Sequence, residues 1–123
     1  MKILSSVVRR LTESADQRLL RISAIEHEKR NPDHVVSRIA ACEPGTEVTV
    51  AGTVDQISVR TEGNSPALEV SLQDGSGQVF VVWLGRRRIS GVHEGRSLVV
   101  HGRLNCVTDH PTIYNPRYEL LPQ

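Results

Sequence analysis

The stretch Leu68-Glu-Val-Ser-Leu-Gln-Asp-Gly-Ser-Gly-Gln-Val-Phe-Val-Val-Trp-Leu84 decides the fold. Leu68, Val70 and Leu72 alternate with Glu69, Ser71 and Gln73, the period of two that marks a half-buried strand. Asp74-Gly-Ser-Gly77 reads as a hairpin turn, and Gln78 to Leu84 returns as a second strand. Pairing Gln73 with Gln78 sets Leu72 against Val79, Val70 against Val81 and Leu68 against Trp83. Cross-strand partners share a face. Val79, Val81 and Trp83 therefore point inward, while Phe80 and Val82 point outward beside Glu69, Ser71 and Gln73. This register makes Trp83 a core residue and Phe80 the exposed ring; a slip of one residue would exchange them.

The same period continues on both sides. Val48, Val50, Gly52 and Val54 alternate with Thr49, Ala51 and Thr53, giving a long first strand to about Val59. Residues 60–66 read as a loop. The segment from Gly85 to Gly95 holds Arg86, Arg87 and Arg88 and at most one helical turn. Leu98, Val100, Gly102 and Leu104 define strand four. A turn at Thr108–Pro111 leads into strand five, Thr112 to Leu121, bent near Pro116. Five antiparallel strands with a long first strand predict a small closed barrel, because closure removes exposed edges. Gly52 fits a strand that bends round a corner, and Gly102 reads the same way.

The chain before this region differs in kind. Residues 1–44 contain eight basic and six acidic side chains, no Phe, Trp or Tyr and no glycine, whereas all nine glycines fall from Gly45 onward. That contrast predicts an N-terminal helical extension over 1–44 and a β domain over 45–123. Ile3, Leu4, Val7, Val8 and Leu11, then Ala15, Leu19, Ile22 and Ile25, recur at helical spacing. They predict an amphipathic helix ending near Arg30, before Asn31-Pro32. A second short helix is expected from an Asp33 N-cap through Val35, Val36, Ile39 and Ala40 to Pro44. The apolar stripe is expected to pack on the protein's own core; self-association through it is the alternative.

Composition narrows the function. The 123 residues carry 15 Lys and Arg against 14 Asp and Glu, which excludes a basic tail or an acidic solvating chain. No apolar run reaches the roughly 18–20 residues of a bilayer span, and Arg9-Arg10 interrupts the first apolar stretch too early for a signal peptide. A soluble, cytoplasmic protein without a membrane partner is expected. Cys42 and Cys106 are too few for a disulfide framework. His101, Cys106 and His110 form the one metal-like spacing, but structural zinc uses four ligands in tighter pairs; no metal and no cofactor is expected. Neither Lys2 nor Lys29 follows a glycine, so no phosphate-binding P-loop exists, and no G-x-S-x-G or His-Glu-x-x-His motif occurs. A non-enzymatic protein is expected.

Five segments in order carry a resemblance: Glu47–Val54, Leu68–Gly77, Val82–Leu84, Gly95–Gly102 and Tyr114–Leu120. Together they resemble the OB-fold nucleic-acid-binding domains, in particular a small stand-alone, mostly actinobacterial type. They are also similar to the wedge domain of the RecG-type branch-migration helicase, where an Asp-x-x-Gly hairpin, a Trp ending strand three and an Asn-Pro-x-Tyr segment recur in that order. The likeness covers roughly residues 45–121. The helicase motor domains are absent, so strand separation is not implied. The family's usual helix between strands three and four is missing too, which leaves one barrel end to be closed by the 33–43 helix or the longer one before it.

The resemblance implies binding of single-stranded DNA or RNA across strands two and three, flanked by the first-to-second and fourth-to-fifth loops. The residues suited to this are Phe80 for stacking and Arg86, Arg87 and Arg88, with Arg60, for phosphates. Tyr114 and Arg117 on strand five are further candidates, while Tyr118 is expected to pack inward. His101 and Arg103 project outward from strand four. Residues 45–123 hold seven Arg and eight acidic side chains, so the expected binding is weak, salt-sensitive and sequence-tolerant. A protein-interaction or oligomerisation module using the barrel face or the N-terminal helix is the competing reading.

Overall fold

The computed structural model describes residues 17–107 and 110–122. Six strands follow one another: β1 (Glu47–Glu62), β2 (Ser65–Gln73), β3 (Gln78–Leu84), β4 (Ser97–Val107), β5 (His110–Tyr114) and β6 (Arg117–Leu120). They lie in the order β1-β2-β3-β5-β4-β6, and a further β1–β4 pairing closes the first five into a ring. The β2–β3 register is the one read from the sequence, with Leu72 opposite Val79, Val70 opposite Val81 and Leu68 opposite Trp83.

Two expectations about the sheet need correction. The single fifth strand is two strands, because Asn115 takes a left-handed φ of 48° and breaks the ladder before Pro116. Asn115 is held to β3 instead: its N–H donates to the Val82 carbonyl at 2.7 Å, and its Oδ1 accepts the Leu84 N–H at 2.9 Å. The sheet is also not wholly antiparallel. β4 runs against β1 and β5 runs against β4, so β5 closes the ring only by running parallel to β3, with Phe80 beside Thr112 and Val82 beside Tyr114.

The expected loop after the first strand is a hairpin. β1 continues to Glu62 and pairs with β2 as far as Ser65, the turn being made with Gly63 at a φ of 63°. A bulge between Val54 and Gln56 lets this strand leave β4 and follow β2. Close approach explains Gly52: a Cβ there would stand 3.1 Å from both the Gln73 carbonyl oxygen and Leu72 Cβ.

The inward residues of every ring strand form one core, including Val50, Val54, Leu68, Val70, Leu72, Val81, Trp83, Leu98, Val100, Leu104 and Ile113. Ile89 and Val92, from the β3–β4 connection, join it. So does Ile39, which shares an apolar pocket with Val48, Val79, Leu104 and Ile113.

Ile39 does not arrive there on a helix. The expected helix over 33–43 is an extended strap followed by a 3-10 turn, Ile39–Ala41. Four of its backbone N–H groups find partners outside the segment. Val36 donates to Glu28 Oε1 at 2.7 Å, Ser37 to the Thr49 carbonyl at 2.8 Å, Ile39 to Asp74 Oδ2 at 2.9 Å and Ala40 to Ser76 Oγ at 3.2 Å. Four tertiary bonds replace a helix that β-branched Val35 and Val36 favour little.

Helix α1 covers the described residues 17–30. Its buried face is Leu20, Ala24 and His27, against Ala51 of β1, Val99 of β4 and Leu121. The expected inward stripe is therefore wrong in phase, since Leu19, Ile22 and Ile25 are exposed. Small Ala24 lets the helix approach the sheet, and His27 Nδ1 bonds the Glu119 carboxylate of β6, with Arg30 donating to its other oxygen at 2.5 Å. The expected apolar positions Ile3 to Ala15 lie outside the described residues. Among the described residues no helix is long and apolar enough to cross a membrane.

Candidate nucleic-acid interface

The outer face of β1, β2 and β3 is built in three rows by the pairing registers. Arg60, Ala67 and Leu84 form the first, Ser58, Glu69, Val82 and Tyr114 the second, and Gln56, Ser71, Phe80 and Thr112 the third. The middle of this face is closed to solvent. Ala67 and Val82 have no exposed surface and Ser71 only 3%, although their register turns them away from the core. The outward pair Phe80 and Val82 thus splits, with Val82 covered by its neighbours and Phe80 remaining half-exposed. Neighbouring side chains close over these three, so the surface between Phe80 and Leu84, the candidate trough, is lined by the larger neighbours.

The rings stand on one side of that trough. Phe80 meets the His110 ring edge-on, with centroids 5.4 Å apart and planes at 75°. Tyr114 follows beside Val82. Trp83 turns the other way into the core at 6% exposure, its indole edge against Tyr118 at 5.6 Å. Tyr118, expected inside, is 44% exposed, on a strand that pairs only with Leu98 to His101 of β4.

The cations stand at the opposite end. Gly85 N–H donates to the Pro66 carbonyl at 2.8 Å, which turns the chain off β3 beside the β1–β2 hairpin and starts the exposed run Arg86, Arg87, Arg88. Arg60 lies at the same end, since Ala67 pairs with both Arg60 and Leu84. Four strand steps of about 3.3 Å, roughly 13 Å, separate Phe80 from Leu84. Phe80 and the arginines therefore do not touch; they mark the two ends of one trough, with Tyr114 between them beside Val82.

Two features temper its charge. Arg60 is shared with carboxylates, Glu62 Oε2 at 3.5 Å and Glu69 Oε1 at 3.8 Å. Arg117 is elsewhere. It pairs with His101 on the β4–β6 side, where His101 Nδ1 bonds Thr49 Oγ1 at 2.6 Å and the ring stacks on His34 at 4.0 Å. Burial first, then the neighbouring His34, pushes the His101 pKa down from its ordinary value, with Glu47 opposing. This second surface holds the N-terminal strap rather than lining the trough. His101 and His110 are thus committed to different neighbours, and among the described residues no group of three or more His, Cys, Asp or Glu could hold a metal ion.

His110 was missed as a member of the site because the loop before strand five reads as solvent-exposed. The parallel β3–β5 pairing puts Phe80 beside Thr112 and so brings His110 to the ring. A ladder closed by parallel pairing leaves no local sequence signal. Glu62 was missed for a simpler reason, since the hairpin carrying it was read as a loop.

No family model matches the sequence, and no curated protein matches it. Solved structures do. A RecG bound to a three-way DNA junction aligns at a TM-score of 0.58 and 20% identity, over 72% of this chain and 12% of that one. The second OB-fold domain of replication protein A from Methanococcus maripaludis aligns at 0.57 and 13% identity, over 71% of this chain and 95% of that one. A replication protein A heterotrimer bound to single-stranded DNA aligns at 0.51 and 20% identity, over 72% of this chain and 67% of that one. The chain thus spans only about an eighth of the RecG chain it resembles. Ring closure through β1–β4, the parallel β3–β5 pairing and these likenesses give one conclusion: the chain has the OB fold.

Proposed function

We propose that this chain is a non-enzymatic module that binds single-stranded nucleic acid, DNA in preference to RNA, with little sequence preference, in the cytoplasm and in the service of DNA repair or recombination. The observation that carries the proposal is the outer face of β1–β3, with Phe80, His110 and Tyr114 along it and Arg60, Arg86, Arg87 and Arg88 at its end. Flat rings accept bases of any identity, and guanidinium groups take phosphates in a bidentate fork. The structural neighbours that hold DNA support the reading. The absence from the sequence of a recognisable nucleophile–base pair supports the non-enzymatic part.

The affinity is set by a few local cations, because residues 45–123 carry one more acidic than basic side chain. Each phosphate neutralised on a single strand contributes about −0.7 to the slope of log K against log salt. Titration of labelled oligodeoxythymidylate and oligouridylate at several salt concentrations tests the reading. Binding at low salt that weakens as salt rises, tighter for DNA, is expected. The triple variant Arg86→Ser, Arg87→Ser, Arg88→Ser should bind more weakly with a shallower salt slope. Absence of binding at low salt, or a slope unchanged by the triple variant, refutes the trough as the landing place.

A further inference from the structure

Helix α1 is apolar on both of its sides. One side, Leu20, Ala24 and His27, is on the sheet. The other shows Ile22 at 50% and Ile25 at 46% exposure, with Leu19 at 66% on its flank. A helix lying on a domain surface normally turns charge outward there. Arg18, Ile22, Ile25 and Lys29 follow one another at spacings of four, three and four, and the same spacing runs back in the sequence through Leu4, Val8, Leu11 and Ala15. Six of these eight positions are apolar, on a repeat of 3.5 residues sustained over more than three heptads. That is the pattern of a two-helix seam rather than of a helix packed on a sheet.

We propose that this outward face is the seam of a parallel homodimer, met by the same face of a second copy of the chain. The flanking charges choose the partner and its direction. Arg21 and Glu26, both exposed, border the seam five residues apart on opposite sides. In a parallel, in-register pair, the residue preceding a seam position meets the residue five further along the partner helix. Arg21 then faces Glu26 of the second copy, and by two-fold symmetry the contact forms twice. An antiparallel pair would set Arg21 against Arg21 and Glu26 against Glu26. Arg18 and Lys29, at seam positions, keep their charged heads in water and make the association reversible. The dimer leaves both troughs outside the seam, so one particle offers two strand-binding faces; the proposal itself does not depend on what those faces bind.

Sedimentation equilibrium on the full chain across the micromolar range tests it. A monomer–dimer equilibrium is expected. Ile22→Glu with Ile25→Glu should raise the dissociation constant by about a hundredfold or more, as buried apolar contacts become buried charge, while far-UV circular dichroism stays unchanged because both residues are exposed in the single chain. Arg21→Glu should weaken the dimer, and adding Glu26→Arg should restore it. A monomer at every concentration overturns the proposal and points to another occupant of the face, a different protein or residues 1–16 of the same chain. A dimer indifferent to the isoleucine changes overturns the seam, and a charge swap that fails to restore association overturns the parallel pairing.

Discussion

Arg60 Nε stands 3.8 Å from Glu69 Oε1, at the end of the trough where a phosphate would have to arrive. The guanidinium is already shared with Glu62 at 3.5 Å, so a polyanion gains Arg60 only by displacing a carboxylate. Both partners are partly exposed, and an ion pair of this kind contributes little to stability. Its effect falls on binding.

Glu69→Gln should therefore tighten binding of a single strand, by about threefold to tenfold at low salt, the gain expected from removing one like charge near a phosphate in a wet site. Thermal stability should change by less than about 0.5 kcal/mol. Fluorescence titration beside a melting curve checks both. Weaker binding by Glu69→Gln would mean that the strand does not cross this row of the face.

The two rings of β3 should separate in their effects. Phe80 is outside the core and contacts His110, so Phe80→Ala should cost about 1–3 kcal/mol of binding, the worth of one stacked base, with a small loss of stability. Trp83→Ala should cost about 3–5 kcal/mol of stability, as large buried rings do. Among the described residues Trp83 Nε1 is buried with no hydrogen-bond partner, so Trp83→Phe gives up no bond there and should leave oligonucleotide affinity unchanged. Equal binding losses for Phe80→Ala and Trp83→Phe would contradict this division.

That division was legible because it depends on parity. Once Gln73 faces Gln78, every residue of the hairpin has its side assigned, and the structure has that register. Exposure is another matter, since Val82 faces outward and is still fully buried. Neighbouring strands decide that, and the pairing of β3 with β5 is non-local. The helical extension shows the same limit. Helical spacing found the helix, but two apolar faces share α1, and sequence periodicity could not tell which one meets the sheet. The segment over 33–43 reads as helix because its bonding partners, Thr49, Asp74 and Ser76, lie far along the chain.

Asp74 should prove the most important single anchor of that strap. Oδ1 accepts the Ser76 N–H at 2.8 Å, the Ser76 hydroxyl at 2.6 Å and the Gly77 N–H at 3.2 Å, while Oδ2 accepts the Ile39 N–H. One carboxylate thus shapes the β2–β3 turn and holds the residue that enters the core from outside the ring. Hydrogen bonds to a charged group contribute about 1.5–3 kcal/mol each at most and are not additive. Asp74→Ala should cost about 2–3 kcal/mol in urea unfolding, and amide exchange should accelerate at Ile39 as well as at the turn. Asp74→Asn should recover part of the stability, since one amide oxygen still accepts from the turn. Exchange at Ile39 unchanged in Asp74→Ala would show that the strap is held by Val36, Ser37 and Ala40 without Asp74.

Stability should also fall in mild acid, through His101. Burial and the neighbouring His34 lower its folded pKa, against the pull of Glu47. The neutral ring is the one the fold accepts, bonded to Thr49 and stacked on His34. The unfolded chain then binds a proton more readily than the folded one, so stability rises with pH in the interval between the two pKa values. The contribution is complete above the unfolded value of about 6.5, declines as pH falls below it, and stops changing once the folded pKa is passed. Denaturant midpoints between neutral pH and pH 5 should show this decline, and His101→Asn should flatten it. His34→Gln should reduce the slope without abolishing it, because burial still disfavours charge on His101 when the second imidazole is gone. A decline that survives unchanged in His101→Asn would assign the acid sensitivity to another group.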